Sequence, residues 1–222
     1  MVRTYRTSPR APRVRQGGFV LIDTETDAVE RVIAFQYNPD SLSRSLQARG
    51  SGEGGDRAEA LRLTGPPTET ISIEAELDAT DQLEFPDDNP TAVEVALHAQ
   101  IAALEAVLYP SSESVKDTHE RAQQGELEII PNKAPLVLFV WGQSRVVPVL
   151  ISDMSLVEEG FDPELNPLRV RLSLNMTVMT TNDLAYDSRA AGIFRAYHKT
   201  RENLARRQPE GSINELGLED LP

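Results

Sequence analysis

Residues 166–180 read Asn166-Pro167-Leu168-Arg169-Val170-Arg171-Leu172-Ser173-Leu174-Asn175-Met176-Thr177-Val178-Met179-Thr180. Leu168, Val170, Leu172, Leu174, Met176 and Val178 alternate with Arg169, Arg171, Ser173, Asn175 and Thr177. Side chains of an extended chain point to opposite faces in turn, so this stretch predicts one long strand with a dry face and a wet face. A strand of that length needs neighbours along its borders and an apolar cover on its dry side.

The neighbours are legible on both sides of it. Leu136 to Trp141 is an unbroken apolar run, as expected of a strand buried on both faces, and Val146 to Val157 follows after the turn-like Gly142-Gln143-Ser144. With the 166–180 strand these give three consecutive antiparallel strands. Further back, Ile71, Ile73, Ala75 and Leu77 alternate with Thr70, Ser72, Glu74 and Glu76. Phe19–Ile22 and Arg31–Tyr37 flank a polar turn and predict a hairpin, which Asn38-Pro39-Asp40-Ser41 ends, since proline cannot donate to a ladder. Between these runs, Val93, Leu97, Ile101, Leu104 and Leu108 make a helical stripe that Pro90 and Thr91 can start and Tyr109-Pro110 stops. That helix is expected to cover the dry face of the sheet. The fold class that follows is α+β, mainly antiparallel β with one packed helix and a further helix at the C-terminus.

Four segments fall outside this wall. Residues 1–16 carry Arg3, Arg6, Arg10, Arg13 and Arg15 without an acid and are broken by Pro9 and Pro12. They read as a solvated tail or as a basic arm lying on an acidic neighbour, another copy of this chain included. Residues 42–66 and 111–134 read as long loops within a domain spanning 17–182. In the first, the glycine-rich run from Gly50 to Gly55 lacks the Gly-Lys-Ser/Thr ending of a phosphate loop, so it is taken as a flexible loop that orders against a neighbour. Residues 183–222 form a basic helix and tail. Arg189, Arg195, Lys199, Arg201, Arg206 and Arg207 make it either a solvated amphipathic helix or a helix that docks on an acidic partner.

The totals narrow the function. The chain has 222 residues, a net charge of −13 and no cysteine. The charge argues against nucleic acid as the main partner, and the cysteine count excludes disulfides, thiolate zinc sites and cysteine nucleophiles. No apolar run approaches the roughly 20 residues of a membrane span, so no membrane insertion is expected. The acidic cluster Asp78, Asp81, Glu84, Asp87 and Asp88 lacks the alternate spacing and central glycine of a calcium loop. His98, His119 and His198 stand in unrelated contexts and no acidic pair is singled out, so neither an enzyme nor a cofactor site is expected.

Five stretches in order carry a family resemblance: Phe35-Gln36-Tyr37-Asn38-Pro39-Asp40-Ser41-Leu42-Ser43-Arg44, Glu74–Asp81, Ala102–Pro110, Pro135–Gly142 and Glu158–Pro167. Together they resemble the tube-type N-terminal domain of baseplate proteins from contractile injection systems, which are phage-tail-like particles. The resemblance covers roughly residues 19–185. It implies a tail-tube-like β-sandwich or barrel, six copies in a ring around a channel, and a role as tube initiator between a trimeric spike hub and the inner tube. Baseplate or sheath components are implied as further partners, with assembly in the cytoplasm and release from the cell left open. Family members often continue into a LysM domain; after Thr181 this sequence carries only the basic helix and tail, which is expected to substitute for it. On this reading Arg169, Arg171, Ser173 and Asn175 line the channel. Asn38, Pro39, Ser41, Leu42, Arg44, Arg195, Lys199 and Arg201 are expected to meet other subunits or partners. A repeated inner-tube subunit and a monomeric ligand-binding β-barrel stay open as alternatives.

Overall fold

The computed structural model describes residues 15–24, 26–50, 63–123, 135–209, 211–216 and 218. Arg3, Arg6, Arg10 and Arg13 of the expected arm, and residues 51–55 of the glycine-rich run, lie outside them.

Seven antiparallel strands form one sheet: β1 Gly18–Ile22, β2 Val29–Ala34, β3 Leu42–Gln47, β4 Thr68–Asp78, β5 Leu136–Val140, β6 Val146–Phe161 and β7 Pro167–Val178, in the spatial order β2-β1-β5-β6-β7-β4-β3. The α+β class expected from the sequence is the one observed. Strand β7 lies between β6 and β4, and Val170, Leu172, Leu174, Met176 and Val178 are all buried. A period-2 apolar set is dry on one face only if its neighbours present their apolar residues in phase: Leu172 sits opposite Ala75 on one side and Leu156 on the other, and a bulge in β6 between Ile151 and Asp153 keeps Ile151 opposite Met176 and Met154 opposite Leu174.

The sheet is continuous and curls on itself. Phe19 and Phe35 from one end share a core with Ile71 and Ile73 from the other. Strands β2 and β3 are the two borders, and they are not paired with each other. One closing contact comes from a side chain. Gln36 Nε2 donates to the Asp78 carbonyl at 2.7 Å, and the Asp78 N–H donates to Gln36 Oε1 at 3.0 Å. The amide thus offers β4 the donor and acceptor that a neighbouring strand would have offered. Two hydrogen bonds at about 1 kcal/mol each predict that Gln36→Leu loses about 2 kcal/mol, read from the urea midpoint. Gly18 is required at the β1–β2 crossing, because a Cβ there would lie 2.2 Å from the Ile33 carbonyl oxygen.

The cover over the dry face differs from the single helix expected at 90–108. Helices α1 Thr80–Leu83, α2 Pro90–Val95 and α3 His98–Glu105 are separate, with a break at Ala96, whose φ is +45°. The Leu97 N–H turns to the Pro167 carbonyl at 3.3 Å, which ties the break to the start of β7. The kink sends Ala92, Leu97, Ile101 and Leu104 inward and leaves Val93 and Leu108 exposed, so those two do not belong to the buried stripe.

Both segments read as loops contain regular structure. Leu42–Gln47 is the border strand β3, and Gly50 bridges Leu63 beyond it. Helix α4, Ser112–Gln123, lies within 111–134. It has no long apolar stripe, and its sequence support is local: Ser111 Oγ accepts the Ser114 N–H, and Lys116 pairs with Glu120.

Helix α5, Arg189–Ala205, is capped by Ser188, whose Oγ accepts from the Ala191 N–H at 3.2 Å. Phe194 and Tyr197 enter the main core, while Ala190 and Ile193 cover Ile22, Leu136 and Leu138 on the opposite face of the sheet. This explains why the 136–141 run is apolar without alternation.

Candidate assembly surfaces

The wet face of the β4–β7–β6 region is a connected polar surface. Arg169 Nε and Nη2 each lie 3.2 Å from Asp78 Oδ2, and Arg171 pairs with Glu159. Asn175 accepts from Ser72 Oγ at 2.6 Å and donates to Asp153 at 3.4 Å; Ser173 is exposed between Glu74 and Ser155. The structure therefore brings Arg169, Arg171, Ser173 and Asn175 onto one stripe of the outer face, the first three exposed and Asn175 half-buried. Their neighbours change its character. Glu74, Glu76, Asp78, Asp153 and Glu159 share the face with the two arginines, so the surface is acidic overall.

Desolvation pushes the Asp78 carboxyl upward, but hydrogen bonds from the Thr80 side chain and backbone, then from Arg169, hold it below its ordinary value of 3.8. A carboxyl depressed on folding contributes stability above its unfolded pKa and loses it as pH falls through its folded pKa. The expected result is that Asp78→Asn flattens the acid limb of the stability–pH profile and leaves its shape at neutral pH alone, measured by urea unfolding at stepped pH. The Arg171 guanidinium moves the other way, held charged by the Glu159 hydrogen bond and by the field of Glu159.

The two sheet borders are the second surface. Every β2 residue except Ile33 is exposed, Val29 and Val32 among them. On β3, Leu42 and Leu46 stand opposite Ile73 and Glu69 on the dry side. An exposed border presents unpaired N–H and C=O groups, a template for another strand.

The residues expected at partner contacts divide into two groups. Four serve the fold itself. Asn38 accepts the Gly17 N–H and donates to the Arg15 carbonyl, both at 2.8 Å, fixing the approach to β1. Arg44 and Arg201 both bind Glu69, at 2.6 Å and 3.3 Å, and Leu42 packs against the core. Pro39 is half-buried and Ser41 exposed. Arg195 lies over the Tyr186 ring at 4.2 Å. Lys199 is exposed with no ion-pair partner among the described residues.

Glu69 is the residue that the sequence reading passed over. It is 3% exposed, beneath α5, and the Tyr197 hydroxyl reaches it at 3.3 Å as well. One buried carboxylate thus joins β3, β4 and α5.

His98, His119 and His198 are exposed on α3, α4 and α5 respectively. Among the described residues no group of His, Asp and Glu is placed to hold a metal ion, and no helix is long and apolar enough to cross a membrane.

No family model matches the chain, and no curated protein matches it. Solved chains similar to it include the following two. One is from the tail of an empty GTA particle computed with helical refinement in C6 symmetry: 10% identity, TM-score 0.28, covering 73% of this chain and 90% of that one. The other is from the virion of a native gene transfer agent (GTA) particle: 10% identity, TM-score 0.28, covering 76% and 95%. A likeness at that TM-score decides nothing about fold or function.

Proposed function

We propose that this chain is a non-enzymatic structural subunit of a contractile, phage-tail-like particle: a ring-forming inner-tube initiator seated between a trimeric spike hub and the tube, in contact with baseplate or sheath components. The observation that carries the reading is the curled sheet whose border strands β2 and β3 have no strand on their outer edges among the described residues, while the outer face of β7 is polar along its length. Ring closure between copies would pair those borders and leave the wet stripe facing an aqueous channel. The ordered sequence resemblance over residues 19–185 supports the place in the particle.

A monomeric ligand-binding barrel fits less well. Among the described residues, Phe19, Phe139, Leu172 and Met176, each at most 1% exposed, make a packed core where such a barrel would need a roomy apolar interior. A repeated tube subunit shares the ring geometry and differs in copy number. The test is the mass of the purified chain together with negative-stain images of the particle. Rings of this chain present once per particle support the initiator. Many stacked copies support the repeated subunit, and a monomer under all conditions overturns both.

A further inference from the structure

Two features at opposite ends of β4 fit each other. Past its C-terminal end, Phe85 is 59% exposed in the bend between α1 and α2, flanked by Glu84 and Asp87. The bend is held in shape: Asn89 Nδ2 donates to the Gln82 and Phe85 carbonyls at 3.1 and 3.0 Å. Residues 78–88 hold five acids and no base. Beside its N-terminal end, a depression of about 340 Å³ on α5 is lined by Pro66, Phe194, Arg195, His198, Lys199 and Glu202. Residues 189–207 hold six Lys and Arg against Glu202 alone.

A bare aromatic ring rimmed by carboxylates is thus matched by a hollow with an aromatic lining and a basic rim. An aromatic anchor in a pocket with a polar rim is the anatomy of an interface hot spot. β4 separates them by 11 residues, about 36 Å at 3.3 Å per residue. We propose that Phe85 of one copy seats in the α5 depression of the next, with Glu84 and Asp87 against Arg195 and Lys199. The contact uses different surfaces on its two sides, so it propagates head to tail and does not close on a pair. It goes beyond the proposed ring, because it leaves the sheet borders untouched.

The test uses the full chain in sedimentation velocity, at about 50 mM and about 500 mM salt, where screening weakens exposed charge contacts. Wild type is expected to associate further at the lower salt. Phe85→Ala is expected to weaken that step at least tenfold. The pair Glu84→Lys/Asp87→Lys and the pair Arg195→Glu/Lys199→Glu are each expected to abolish it, since each sets like charge against like. Mixing the two pairs restores opposite signs at every contact and is expected to restore association, which also shows that both variants are folded. Association of all variants equal to wild type, or no recovery in the mixture of two variants with native circular dichroism, overturns the proposal. Rings that persist in Phe85→Ala while the low-salt association is weakened separate this contact from pairing along the sheet borders.

Discussion

Replacing Glu69 with alanine is expected to cost about 3 kcal/mol and to loosen the C-terminal half of α5. The carboxylate is 3% exposed and receives Arg44 at 2.6 Å, Arg201 at 3.3 Å and the Tyr197 hydroxyl at 3.3 Å. Removing one partner of a buried charge pair costs about 3–5 kcal/mol, because the remaining charge is stranded. Here the low end applies. The Arg44 and Arg201 side chains are 23% and 39% exposed, so they can turn toward water once the acid is gone. The measurements are the urea midpoint and amide hydrogen exchange over residues 194–201. An unchanged midpoint with unchanged exchange would remove Glu69 from its role. A second variant separates stability from positioning. Replacing the network with apolar side chains, Glu69→Leu with Arg44→Met and Arg201→Leu, is expected to come near wild type in stability, since an ion network gains little over a packed apolar core. It also removes the directional contacts that fix where α5 crosses β3 and β4, so faster exchange in α5 at equal stability is the expected signature.

The same residue shows what the sequence could and could not deliver. Glu69 falls in phase with Ile71, Ile73, Ala75 and Leu77, and Arg44 stands in phase with Leu42 and Leu46. A charge on the dry side of a strand signals a buried ion pair. The sign was therefore present on each strand. What was missing was the register, which places Arg44 opposite Ile71, diagonal to Glu69, and no local pattern prints that pairing. The β5–β6–β7 meander was legible because period-2 alternation and short turns are local. The break at Ala96 was not, since its cause is a hydrogen bond from Leu97 to Pro167, seventy residues away. The amide closure by Gln36 was hidden for the same reason: a glutamine after a strand looks like any solvated residue until Asp78 lies beside it. The wet stripe Arg169–Asn175 was visible as a stripe, but its net charge was not. The arginines of β7 carry the sequence signal, and the carboxylates that outnumber them come from β4 and β6. Helix α4 was passed over because it has no buried stripe to read.

Val32→Pro is expected to leave a folded barrel that no longer forms rings. The Phe35 N–H donates to the Gly17 carbonyl at 2.9 Å, so the rows Phe19–Ile33 and Leu21–Arg31 carry the β1–β2 hydrogen bonds, and the rows between them do not. The Val32 N–H therefore points away from β1, along the open border of the sheet. Proline is tolerated on a border strand when the missing N–H faces outward, and Val32 is 64% exposed, so the fold loses neither a ladder bond nor a core contact. A strand from a neighbouring copy loses both a donor and room for its backbone. If each contact weakens about tenfold, or about 1.4 kcal/mol, the loss multiplies around a closed ring of six to about a million-fold. Such a change reads as all or nothing in negative stain and in mass measurement. Val32→Thr is the matched control, since it keeps the N–H, the branched side chain and the exposure, and it is expected to assemble like wild type. Rings of normal size from Val32→Pro would mean that β2 is not a pairing border, and the lateral contact would have to be sought on the wet face or on α5.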